Sequence, residues 1–200
     1  MVEISLTDFV DFASKAGTSR MRAIRILKKR PPEYHPIGDY YKEVREFLQE
    51  LHQGKVSPDD FADVLTKLKN ASKIKHFGDV FAGHKKFIGR RKLDYFQPLY
   101  CKWNHSDLSV RVNPELGLVV DSVPHLVKLY FKSDPLSKQK TDVITHMMGV
   151  SLRAIAPKGS VMAVLDLRRG KLHTRTVLID GLEVLLASEA TAFLQLWEGL

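Results

Sequence analysis

The chain has 200 residues, 44% hydrophobic and 27% charged, with a formal net charge of +8. These proportions suit a packed globular protein and exclude a disordered or fibrous one. The single cysteine, Cys101, cannot close an internal disulfide or assemble a thiolate metal site, which excludes a disulfide-stapled scaffold and fits a reducing compartment.

No apolar run approaches 18 residues and no charged-then-apolar leader opens the chain, so a soluble, cytoplasmic protein with no membrane partner is expected. The charge is unevenly spread. Residues 12–32 carry seven cations (Lys15, Arg20, Arg22, Arg25, Lys28, Lys29, Arg30) and no acid. Residues 84–92 carry five more (Lys85, Lys86, Arg90, Arg91, Lys92), again with no acid. The last 25 residues reverse the sign, with Asp180, Glu183, Glu189 and Glu198 and no Lys or Arg. Concentrated positive potential of this kind favours a polyanion, nucleic acid before membrane. A solvated basic surface and an acidic protein partner both stay open as alternatives.

Taken in chain order, residues 7–16 suit a short helix ended by Gly17, with Leu6, Phe9, Val10 and Ala13 on one face. A second helix over about 19–29 groups Met21, Ile24 and Leu27, and places Arg22, Arg25 and Lys29 on another side until Pro31-Pro32 stops it. The pair resembles a helix-turn-helix in outline, but a proline-rich loop follows where such a unit needs a third packed helix. Residues 39–52 form a clear amphipathic helix with Tyr40, Val44, Phe47, Leu48 and Leu51 in its stripe. Ser57-Pro58-Asp59-Asp60 is a strong start for the next, whose buried face is Phe61, Val64, Leu65 and Leu68. Residues 71–100 are interrupted by Gly78, Gly83 and Gly89, and their basic cluster lies among Phe81, Phe87, Tyr95 and Phe96.

Three strands then follow. Residues 108–112 alternate apolar and polar, 116–120 are nearly continuous apolar, and 125–131 alternate again. Asn113-Pro114 and Asp121-Ser122 mark the two turns. A helix over about 139–154 carries Ile144, Met147, Met148 and Leu152 as its stripe. An apolar strand at 161–167, a turn at Arg168-Arg169-Gly170 and a further strand over 171–179 come next. Asp180 to Glu183 reads as a capping box for a closing helix. The fold expected is α/β (α+β): a mixed sheet of about five strands with a three-stranded antiparallel meander, flanked by helices. A basic helical extension, 1–35, precedes the main domain, 36–200.

Pro114-Glu115 enters the second of the three strands, and Lys128 lies on the third. With the order helices, three-stranded meander, helix, strand, these residues make 39–170 similar to the core of the PD-(D/E)XK, or restriction-endonuclease-like, superfamily. The resemblance implies that Glu115 and Lys128 are catalytic, that Glu115 is a ligand to Mg2+ or Mn2+, and that the activity is metal-dependent nuclease chemistry on DNA ahead of RNA. The family's acid two residues before the lysine is absent: Leu126 occupies that place, and Tyr130 does so if Lys132 is taken instead. One carboxylate holds a divalent ion weakly. Asp121 shares parity with Glu115 but lies six residues on, roughly 20 Å at about 3.3 Å per residue, and suits the turn better. Some family members draw a further glutamate from the helix before the sheet; Glu43 or Glu46 stands there, although both also fit a solvated face.

Two readings therefore stay open, a degenerate relative that binds nucleic acid without cutting and an active variant with a migrated acid. A plain cross-strand ion pair between Glu115 and Lys128 is the simpler account of the same residues. In either nucleic-acid reading Arg20, Arg22, Arg25, Lys28, Lys29, Arg30, Lys85, Lys86, Arg90, Arg91 and Lys92 contact phosphates, and Phe87 or Tyr95 is placed to stack on bases. A protein-interaction module, docked through its basic N-terminal helix, is the non-enzymatic alternative.

Overall fold

The Ser5 hydroxyl accepts the amide of Asp8, which starts helix α1 (Leu6–Ala13) directly after strand β1 (Val2–Ser5). Leu6, Phe9, Val10 and Phe12 of α1 are all buried. Helix α2 (Thr18–Lys28) follows Gly17, whose φ of 52° is one that a side chain disfavours, and it buries Ile24 alone. The structure, a computed structural model, describes residues 1–30 and 39–200. The expected helix stop at Pro31-Pro32 and the boundary between 1–35 and 36–200 lie outside the described residues.

Helix α3 (Lys42–His52) buries Val44, Phe47 and Leu48 of the predicted stripe, while Leu51 is half-buried and Tyr40, ahead of the helix, is exposed. Ser57 and Asp60 form the capping box expected there, opening a 3-10 turn (Pro58–Asp60) and the short helix α4 (Phe61–Thr66). The difficult stretch resolves into a long helix, α5 (Ala71–Ile88), and strand β2 (Leu93–Phe96). Strands β3 (Cys101–His105), β4 (Leu108–Val112), β5 (Leu116–Val120) and β6 (Val123–Tyr130) come next. Helix α6 (Lys138–Leu152), strands β7 (Val161–Asp166) and β8 (Lys171–Arg175) and helix α7 (Leu182–Gly199) complete the chain.

The strands form two sheets, one of five strands in the order β2-β5-β6-β7-β8 and one of three in the order β1-β4-β3. In the larger sheet β6 and β7 are parallel and the other pairs antiparallel. The expected five-stranded mixed sheet and flanking helices are therefore present, and three consecutive neighbours, β2, β5 and β6, are antiparallel. The place expected for residues 108–112 is taken by β2, while β4 pairs with β3 and, in parallel, with β1. Asp121 and Ser122 make the β5–β6 turn with φ of 49° and 69°, the left-handed pair that a two-residue hairpin requires. The capping box expected at Asp180 to Glu183 does not form: Gly181, with φ of 71°, is the N-cap of α7 and no side chain caps it.

Alternation along the central strands divides the core in two. Leu116, Leu118, Val127, Leu129, Ala163 and Leu165 face α3, α4 and α5. Leu126, Tyr130, Met162 and Val164 face the other way, toward α1, α6, α7 and the small sheet. Ile24, at 0% exposure, belongs to this second cluster, so α2 lies on the side of the large sheet opposite α5. The first 30 residues are thus part of the packed molecule, holding Phe9, Phe12 and Ile24 in its core.

Candidate functional site

Glu115 immediately precedes β5, and its amide donates to the Val127 carbonyl at 3.0 Å, so it faces Lys128 on β6. Parity sends both side chains to the α6 side of the sheet: Glu115 alternates with Leu116, and Lys128 with Val127, both of which face α5. Lys128 Nζ donates to Glu115 Oε1 at 2.5 Å and to the Asn113 carbonyl at 3.0 Å. Glu115 Oε2 accepts the Leu129 amide at 2.7 Å. On the other side of the backbone, Gln49 of α3 donates to the Glu115 carbonyl at 3.0 Å. Glu115 is 8% exposed and Lys128 is 6% exposed. The two residues that the resemblance singled out do meet, as a buried ion pair in which each carboxylate oxygen already has a donor.

Further along the same face lies Tyr130, whose hydroxyl is buried and has no hydrogen-bond partner among the described residues. Burial raises its pKa, and the carboxylates of Asp134, Asp11 and Asp166 push the same way. Two of these acids have cationic partners. Asp11 pairs with Lys132, and Asp166, 1% exposed, pairs with Arg169 at 3.1 Å. Leu126, at the position of the family's second acid, is fully buried in the apolar cluster. Glu43 and Glu46 belong to α3, on the opposite side of the sheet, where they pair with Lys73 at 2.9 Å and Lys42 at 3.8 Å. Neither reaches the face that Glu115 occupies. Among the described residues no three His, Cys, Asp or Glu side chains gather as a metal site. The residues present do not fit a resident Mg2+ or Mn2+, because a hard cation wants several free oxygens and Glu115 has none to give.

The cations separate into paired and free ones. Arg20 is held by Glu189 at 2.7 Å and lies over the Phe12 ring; Arg30 is held by Asp8 at 2.9 Å. Arg91 folds back onto the Phe87 carbonyl and ring. Arg22, Arg25, Lys28 and Lys29 of α2 and its cap are exposed, and among the described residues none of them makes an ion pair; Lys28 lies over the Trp197 ring. Lys85, Lys86, Arg90 and Lys92 are likewise exposed and without an ion pair among the described residues. Phe87 is fully buried, which rules it out as a stacking platform, and Tyr95 bonds through its hydroxyl to Gln53 and Gln97.

Sequence reasoning missed what anchors the second group. Gly83 of α5 packs so tightly on the β7–β8 connection that an added Cβ would stand 1.6 Å from the Leu167 carbonyl oxygen. Gly170 in turn abuts the Gly83 carbonyl and the stem of Lys86. This contact fixes the basic end of α5 against the turn; exposed Lys171, opposite Asp166 in the β7–β8 register, alternates with Leu172 and so points to the other side of the sheet. The glycine at 83, inside a helix, was the available signal.

Among the described residues no helix is long and apolar enough to cross a membrane. No protein-family model matches the chain, and no curated protein matches it closely enough in sequence to count as a relative.

Proposed function

We propose that the protein binds nucleic acid, DNA ahead of RNA, through a core resembling that of the restriction endonucleases, in a form that does not cleave. The observation that carries this reading is the end of α5, where Lys85, Lys86, Arg90 and Lys92 stand exposed without an ion pair among the described residues. Uncompensated cations on one rigid edge are what a phosphate backbone attracts. Support for the kinship is the order α5, three antiparallel strands (β2, β5, β6), α6 and parallel β7, with β3 and β4 inserted after the first of the three. Support for a form that does not cut is the Glu115–Lys128 pair, in which the carboxylate oxygens are taken by an ammonium and an amide.

A filter-binding titration on duplex DNA over a range of salt tests the binding. Four contacting cations give a slope of log affinity against log salt of about −3.6, from about −0.9 per phosphate neutralised. Lys85→Glu/Lys86→Glu/Arg90→Glu should flatten that slope by about 3. A slope near zero for the unaltered protein would remove the reading. In the same preparation, plasmid incubated with manganese should stay supercoiled; nicking that disappears in Glu115→Gln while that variant keeps the parent's circular dichroism spectrum and duplex binding would establish the active-nuclease alternative instead.

A further inference from the structure

The two groups of exposed cations, without ion pairs among the described residues, do not form one surface. Helix α5 packs its Phe77, Val80, Phe81 and Phe87 on one side of the five-stranded sheet. Helix α2 is anchored on the other side through Ile24, against α1 and α7. With about 10 Å between packed layers, roughly 20 Å or more of protein separates them.

Helix α2 has its own outward face. Ile24 turns inward at 0% exposure, which leaves Arg22, Arg25 and Lys29, spaced three and four residues apart, aligned along solvent. The sequence from 12 to 32 contains no acid. Two neighbours with fixed partners, Arg20 on Glu189 and Arg30 on Asp8, brace the helix and leave these three unengaged among the described residues. Only one sizeable apolar side chain of α2, Ile26, is well exposed, at 50%, too little for the apolar centre of a protein interface. A polyanion backbone is the chemistry this face matches.

We infer that the molecule carries two independent nucleic-acid-binding faces, α2 on one side of the sheet and the end of α5 on the other, and joins two duplex segments. This rests on the binding reading given above and adds a bridging activity to it. Neither face needs movement of the other, because each is set on its own side of a common sheet.

The test is a bridging assay with the whole chain at low salt. A biotinylated 30-base-pair duplex is immobilised, protein is added, unbound protein is washed away, and a fluorescent duplex is offered. The unaltered protein should capture the second duplex, in complexes that sedimentation equilibrium reports as one chain with two duplexes. Arg22→Glu/Arg25→Glu/Lys29→Glu should still be retained on the first duplex while second-duplex capture falls at least tenfold. The same substitutions to Ala should give a smaller loss in the same direction, and an unchanged circular dichroism spectrum guards against misfolding. No retention of the unaltered protein on the first duplex would defeat the binding reading itself. Retention without second capture, or capture that survives the α2 charge reversals because two copies bridge through one face, would overturn the two-face inference alone. Loss of all binding in the α2 variant would overturn it too, since the cations would then act as a single surface.

Discussion

At the level of single residues the Glu115–Lys128 pair has the most to lose. Removing one member of a buried ion pair strands its partner's charge in the core, at a cost of about 3–5 kcal/mol, whereas replacing both by well-fitting apolar groups is often close to neutral. Glu115→Gln is therefore expected to lower the urea midpoint sharply, and Glu115→Gln/Lys128→Met to recover most of the loss. Equal losses in the two variants would contradict the arrangement described. A second buried pair titrates. His52 Nε2 and His84 Nε2 face each other at 2.9 Å, so one ring donates and the other accepts. Burial lowers His84 to about 3, aided by His52, and burial alone lowers His52 to about 4. Unfolded histidine takes a proton near 6.5, so between that pH and the folded values the unfolded chain binds more protons. Stability present above pH 6.5 should fall on acidification, by up to about 1.4 kcal/mol per pH unit for His84. Denaturation curves at pH 7, 6 and 5 should reveal that slope, and His84→Leu should reduce it; an identical slope in the variant would place the acid sensitivity elsewhere.

At the level of elements, the contact between α5 and the β7–β8 connection is set by Gly83. Alanine there would meet backbone rather than a yielding side chain, 1.6 Å from the Leu167 oxygen, so helix and turn must part. Gly83→Ala should lose at least about 2 kcal/mol, beyond the common overpacking range's lower end, despite its better helix propensity. A melting temperature at or above that of the parent would show the contact to be loose. The same glycine explains why α5 was illegible in the sequence: it reads as an interruption, while its reason is a neighbour more than 80 residues away. Helices α3 and α6 were legible because a buried stripe repeats locally, as Val44, Phe47 and Leu48 or Ile144, Met147 and Met148 do. Strand β4 was legible as a strand and misassigned in its pairing. Alternation in 108–112 states that one side is buried, and nothing local states that the partners are Val2–Ser5 and Cys101–His105.

For the whole molecule, the decisive facts concern which side of the large sheet a group occupies. The adjacency of Glu115 and Lys128 could be read ahead, since a two-residue turn at Asp121-Ser122 fixes the register between their strands. The closing of that site could not, because the donors on Glu115 include the Leu129 backbone amide, which every residue has. Likewise the runs of cations were plain, but their division was not. Glu189 and Asp8 withdraw Arg20 and Arg30 from circulation, and the sheet puts the remainder on two sides.

The parallel pairing of β1 with β4 sets Val2 beside Leu108. A nascent chain leaving the ribosome therefore holds its opening strand unmatched while more than a hundred further residues are made, with Leu6, Phe9 and Phe12 behind it still lacking their burial partners. The small sheet cannot close before Val112 has been made, and the interval until then is when a holding chaperone would find these side chains within reach.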